Sequence, residues 1–181
     1  MDQLKSFRSE KDLFFRSHPQ SPLTPEQKRH FNGLNYFPEN TDLSLEVTIE
    51  EFPQKDTIEI QTTTGGVQTY TRYGKFKFAI DGQEAELIIF ASHHDFFLPF
   101  ADSLAGTETY GAGRYLEPHY QGNGKFLVDF NLAYNPYCAY NEAWSCPITP
   151  FENRIKLPIH AGEKVFDSHP KVEHLASSKV A

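Results

Sequence analysis

The chain has 181 residues, a formal net charge of −7, and 39% hydrophobic and 23% charged residues. That length fits one globular domain with a sizeable core. The acidic balance excludes a nucleic-acid or anionic-membrane face, which needs clustered basic residues, and no apolar stretch approaches the ~20 residues of a membrane span.

The N-terminal run MDQLKSFRSEKDLFFRS is charged throughout and lacks the apolar centre of a signal peptide, so the chain reads as cytoplasmic (a mature secreted form would read the same). Residues 2–17 predict an amphipathic helix, with Leu4, Phe7, Phe14 and Phe15 on one broad face. His18-Pro19 ends it, because the residue before proline is pushed out of helical geometry. Thr24-Pro25-Glu26-Gln27 then starts a short helix: Thr24 caps, Pro25 suits the first helical position, and Gln27 completes a capping box. Gly33 is its expected stop.

From Asp42 the apolar period changes to two. Leu43, Leu45, Val47 and Ile49 share one face of a half-buried strand. Further strands are predicted at Thr57–Thr63, Val67–Tyr73, Lys75–Ile80 and Glu84–Phe90, separated by Gly65-Gly66, Gly74 and the hairpin signal Asp81-Gly82. After Ala91 the regularity stops, and Ser92–Ser103 reads as irregular. Strand period returns at Lys125–Asn131 and at Arg154–Ile159.

Between these lies a long segment, residues 107–154, that is aromatic, polar and glycine-punctuated at once. It holds both cysteines, the one tryptophan and four of the glycines. The expected fold is mainly β, or α+β by content. It is an antiparallel β-sandwich or partly closed barrel, with N-terminal helices and this aromatic, Gly- and Asn-rich segment packed on the sheet. Residues 1–34 form helices on the same domain, 35–166 the single β-rich domain, and 167–181 a loose polar tail.

Within the segment, TYGAGRYL at 109–116, DFNLAYNPYCAYN at 129–141 and SCP at 145–147, followed by ENR at 152–154 and IHAGE at 159–163, resemble a family of prokaryotic proteins known as domain of unknown function 1684, DUF1684. The likeness runs from the N-terminal helix to about Val165. It implies one β-rich domain and brings no accepted substrate, cofactor or catalytic residue.

Asp129 and Asn131, two apart in a strand, are expected on one face, opposite Phe126, Val128 and Phe130. Such an aspartate suits a general base or a cation ligand. It equally suits hydrogen bonding to the backbone of the irregular loop that follows. Arg114, between Tyr115 and Gly113, can clamp an anion bidentately or pair internally with Asp129 or Asp102. The glycines beside it lack the pattern of a dinucleotide or phosphate loop. Tyr110, Tyr115, Tyr134, Tyr137 and Tyr140 are candidate pocket walls, with Asn135 nearby. Cys138 and Cys146 stand eight apart, not at metal-motif spacing. In a reducing compartment they are two thiols, most simply small buried hydrophobes, although a bridge across the loop is sterically allowed.

His93-His94-Asp95 offers an oriented imidazole or a solvated turn. Zinc would need His93, His94, His119 or His160 beside the cysteines. Asp102, Glu108, Glu117 and Asp129 form a loose carboxylate group around the glycine loop, its arrangement in space unset by the sequence.

Three function classes follow. The first is a binding protein for a small molecule, with an anionic ligand held at Arg114, Tyr115, Asp129, Asn131, Tyr110 and Asn135 in a pocket between the sheet and residues 107–154. The second is a hydrolase-like enzyme using Asp129, His93 or Cys138. The third is a structural or interaction module without a ligand. No cofactor, metal, nucleic acid or membrane is expected, and the sequence leaves the oligomeric state open.

Overall fold

The structure, a computed structural model, describes residues 3–93 and 95–167. Two helices come first, α1 (Gln3–Ser17) and α2 (Pro25–His30). The capping box forms as expected: Gln27 N–H donates to Thr24 Oγ1 at 3.2 Å, and Thr24 N–H to Gln27 Oε1 at 2.8 Å. α2 ends at His30, short of Gly33, with Phe31 already extended.

Nine strands follow among the described residues: β1 (Ser44–Thr48), β2 (Glu50–Glu51), β3 (Thr57–Gln61), β4 (Val67–Ile80), β5 (Gln83–Ser92), β6 (Asp95–Phe100), β7 (Arg114–Leu116), β8 (His119–Gly122) and β9 (Lys125–Asp129). They form two antiparallel sheets. The smaller has the order β1-β9-β8. The larger runs β2-β4-β5-β6-β7, with β3 pairing to β4 beyond β2. The sheets do not close on each other, so the architecture is a sandwich and the barrel alternative falls away.

Phe76, Phe78, Leu87, Ile89, Leu98, Phe100 and Leu116 of the large sheet form one core with Phe126 and Val128 of β9 and with Phe130. Phe130 locks the layers by packing on Phe78 and Phe100, at ring distances of 5.5 and 5.2 Å.

The structure corrects the sequence reading in four places. The two strands expected around Gly74 are one strand, β4, with a bulge: Arg72 pairs Phe90 and Gly74 pairs Ile89. Gly74 is required by proximity, since a Cβ there would stand 2.6 Å from Ile49 Cγ2 and 2.7 Å from the Glu50 carbonyl oxygen. Residues 95–100 are strand β6, masked in the sequence by Pro99 and Asp95. β7 and β8 are too short, at three and four residues, to show a period. Finally, 154–159 is not a strand. It follows a 3-10 turn (Phe151–Asn153), its one β-bridge among the described residues joins Arg154 to Ala101, and Ile155 and Ile159 pack on the core.

α1 covers the end of the sandwich. Phe15 packs edge-on against Tyr140 at 4.9 Å and stacks near Phe31, while Lys11 reaches the carboxylate of Glu163. Residue 2 of the predicted helix and residues 168–181 of the predicted tail lie outside the described residues. Among the described residues no helix is long and apolar enough to cross a membrane.

Candidate functional site

The long segment has an inner and an outer face, and most of its distinctive residues belong to the inner one. Gly113 starts the arrangement. Its φ is +104°, and a Cβ there would meet Thr149 Oγ1 at 2.4 Å and the Phe100 carbonyl oxygen at 2.6 Å, so only glycine fits. The chain therefore lies flat on β6, and the next residue, Arg114, turns inward to 1% exposure. Its guanidinium donates to the carbonyls of Ala161, Glu163 (3.0 Å) and Ile159 (3.0 Å) and stands 3.5 Å from Asp102 Oδ2. It thus stitches alternate carbonyls of the C-terminal segment onto the sheet. Burial lowers Arg114 to about 10, with Asp102 and Glu163 opposing that shift, so it stays cationic at neutral pH.

Asp102 is equally engaged, accepting from the Thr109 hydroxyl and the Ile159 N–H, both at 2.8 Å. Glu163, also 1% exposed, accepts from Lys11, the Asn135 N–H (2.9 Å) and the Tyr140 hydroxyl. Asn153 fills the gap where β5 and β6 diverge. Its side chain bonds the Ile88 N–H and carbonyl at 2.9 and 2.8 Å and the Pro99 carbonyl at 2.7 Å, replacing strand pairing that stops at Phe90 and Phe97.

Asp129 and Asn131 meet, but not on a strand face. β9 ends at Asp129, which caps the 3-10 turn Phe130–Leu132, its Oδ1 accepting from the Asn131 N–H (3.0 Å) and Nδ2 (2.9 Å). Asn131 also exchanges two bonds of 2.8 Å with the backbone of Asn40. This is the loop-bracing alternative. Asn135 binds the Lys164 carbonyl at 2.9 Å as well as Glu163. Tyr115 donates to the Pro147 carbonyl, Tyr134 to Glu117 Oε1 at 2.9 Å, and Tyr137 packs on Trp144 at 5.0 Å. Burial pushes Tyr115, Tyr134 and Tyr140 well above the usual phenol range. The pocket set expected around Arg114 does not line one cavity: Tyr115, Asn131 and Asn135 are buried in the packed interior, while Tyr110 and Asp129 are half-buried.

The cysteines are free and adjacent, and the Cys138 N–H donates to Cys146 Sγ at 3.3 Å. Tyr110 Oη lies 3.8 Å from Cys138 Sγ. His93, at φ +49°, is an exposed residue of the turn closed by the Ser92–Asp95 pair, and His94 lies outside the described residues. The loose carboxylate group does not assemble: Glu108 pairs with Lys164 at 3.0 Å and Glu117 with Tyr134. Among the described residues no group of three or more His, Cys, Asp or Glu is placed to hold a metal.

The open concavity lies on the outer face. A groove of about 590 Å³ runs between β5–β6 and residues 117–120 of the long segment. Tyr70, Phe96, Phe97 and Tyr120 supply its aromatic surface; Ser92, Asp95, Glu117 and His119 supply its polar groups. Its floor is braced from behind. Tyr70 stacks on Phe97 at 5.1 Å, Phe97 packs on Tyr115 at 4.8 Å, and Phe96 on Phe126 at 4.7 Å. Glu117 is oriented by Tyr134. A second groove of about 570 Å³ between α1 and β9 includes Phe7, Glu39, Asp129 and Leu132, and His119 borders both grooves. Of the eight polar and aromatic residues named in the first groove, only Asp95, Glu117 and His119 carry any signal in the sequence. The others sit on β6 or face out from strands, where periodicity reports the core and not the surface.

The comparisons agree with this architecture. A protein from gene locus rrnAC0354 of Haloarcula marismortui, uncharacterized and known from a solution NMR structure, superposes with a TM-score of 0.69 at 35% identity, over 90% of this chain and 92% of that one. No curated protein matches. The family model described as "Protein of unknown function (DUF1684)" matches residues 29–164, from the end of α2 through Glu163 and Lys164, leaving α1 ahead of the match. The chain belongs to the DUF1684 family.

Proposed function

We propose that the protein binds a small molecule in the groove between the large sheet and residues 117–120, and that the ligand is an organic cation. The observation that carries this is the pairing of aromatic faces with two carboxylates, Asp95 and Glu117, on a groove lined by no lysine or arginine among the described residues. Aromatic faces attract cations through their quadrupole, worth about 0.5–2 kcal/mol per contact depending on desolvation. Carboxylates add a charge-assisted hydrogen bond to any N–H donor. The anion expected at Arg114 moves out of the proposal, because that guanidinium's donors face backbone carbonyls in the interior. A cytoplasmic location suits two adjacent unbridged thiols, and the acidic surface favours a small molecule over nucleic acid or membrane.

A thermal-shift panel of alkylammonium and aromatic amines against size-matched carboxylates and phosphates tests this. Stabilisation is expected from cations alone, weakened about fivefold in affinity by Tyr120→Ala and further by Glu117→Gln. Tyr120 is 55% exposed, so its truncation leaves the fold intact. Hits confined to anions, or hits indifferent to both substitutions, count against the groove.

A hydrolase-like reading has one observation behind it. His119 borders both grooves, with Asp95 and Glu117 in one and Asp129 and Glu39 in the other. Cys138 lines neither, which separates it from any such centre.

A further inference from the structure

Cys138 and Cys146 are held from both sides as a pair. Cys138 lies in the 3-10 turn Tyr137–Ala139, whose backbone continues into a tight turn in which Asn141 accepts from the Ala143 and Trp144 N–H groups, at 3.0 and 3.2 Å. That turn brings Cys146 back. The end of β3 then fixes it: Thr63 N–H donates to the Cys146 carbonyl at 2.9 Å, and Cys146 N–H to Thr63 Oγ1 at 3.2 Å. The final bond, from Cys138 N–H to Cys146 Sγ at 3.3 Å, closes the loop on the sulfur itself. Two thiols packed only as small hydrophobes need none of this alignment. Both also keep a sliver of surface, 7% for Cys138 and 6% for Cys146, beside the half-buried Tyr110 and Tyr137.

We propose that Cys138 and Cys146 form a peroxide-reactive dithiol that closes to an intramolecular disulfide. Either sulfur can make the first attack, and the steps are the same with the two residues exchanged. The hydrogen bond between the thiols sets them apart, one drawn below the ordinary thiol range and the other pushed up, with burial raising both. Written for Cys138, the thiolate, its proton released, attacks one oxygen of hydrogen peroxide. The O–O bond breaks, the other oxygen leaves as hydroxide and takes up a proton to become water, and Cys138 becomes a sulfenic acid. Cys146 sulfur then attacks the Cys138 sulfur, the S–O bond breaks, and the hydroxyl leaves as a second water with the Cys146 proton. The sum is two thiols and one peroxide giving one disulfide and two waters. The peroxide is the oxidant, and the disulfide returns to the dithiol by exchange with a small thiol.

The test is mass spectrometry of the intact protein after stoichiometric hydrogen peroxide and rapid alkylation. Wild type is expected to lose the mass of two hydrogens, take up no alkylating agent, and yield one cross-linked peptide pair containing residues 138 and 146. Dimedone should capture a sulfenic acid in Cys146→Ser or in Cys138→Ser, where the second thiol that would close the disulfide is missing. If both thiols of the wild type still alkylate under peroxide that oxidises a free cysteine peptide, or if the only disulfide joins two chains, the pair is not such a site. Absence of any dimedone adduct in both folded variants overturns the sulfenic-acid route. The wild-type measurement decides the main question even if a variant fails to fold.

Discussion

Arg114 and Glu117 lie three residues apart in the same segment, yet they belong to opposite kinds of surface. Arg114 directs its Nη donors at three backbone carbonyls, beside a carboxylate that itself accepts two hydrogen bonds, and its Nε is sealed in the interior without a hydrogen-bond partner among the described residues. Glu117 is exposed on the groove, oriented by one tyrosine and otherwise facing solvent. The inner hub of Arg114, Asp102, Glu163 and Asn153 looks richer in chemistry, but its polar atoms do the work of missing secondary structure. They tie down the irregular 101–114 and 153–164 stretches, which have few ladder hydrogen bonds of their own. A charged residue is a better ligand candidate when its hydrogen bonds are unspent than when its setting is unusual.

The contrast is sharpest in stability. Glu163→Gln and Arg114→Met each strand a charged partner, the half-buried Lys11 in the first case and the buried Asp102 in the second. Removing one member of a buried, hydrogen-bonded charge set costs about 3–5 kcal/mol. Urea unfolding should therefore show both variants strongly destabilised, while Glu117→Gln and Tyr120→Ala change stability by no more than about 0.5 kcal/mol. Comparable losses on both faces would erase the distinction.

A smaller effect belongs to alkaline pH. Tyr110 is raised to about 12 by burial and its neighbouring thiol, and Tyr36, Tyr115, Tyr134 and Tyr140 rise further, mainly by burial. A raised phenol holds its proton more tightly folded than unfolded. It adds stability that is fully present below the unfolded value near ~10 and is lost as pH climbs through the folded values. Tyrosinate absorbance of this buried set should then appear late, above pH ~10, and cooperatively with loss of near-ultraviolet dichroism. A single step for all tyrosines near pH ~10 would mean that the inner face is open.

Much of the scaffold was legible in the sequence because its physics is local. The Thr24 capping box, the period-two run through Val47 and the Asp81-Gly82 turn each fix their own geometry within a few residues. Gly74 was misjudged because a bulge and a strand end look alike until the neighbour that forbids a Cβ is known. The tail of that logic is the site. Asp129 and Asn131 do meet, but the strand expected to carry both ends two residues short of Asn131, and they meet through a cap on the turn instead of on a shared face. Glu163 was passed over, although it collects three bonds from residues 11, 135 and 140, partners that sequence distance hides. The groove was out of reach for a similar reason: it joins Tyr70, Asp95 and Glu117, outward-facing residues of three separate stretches.

The most direct test is a backbone amide NMR titration of the protein with a tetraalkylammonium ion. The perturbed resonances should cluster at residues 92–97 and 117–120, saturate together, and vanish in Glu117→Gln with Tyr120→Ala combined. Perturbations centred on Arg114, Asp102 and Glu163 instead, or shifts spread evenly over the acidic surface without saturation, would contradict a ligand site on the outer face.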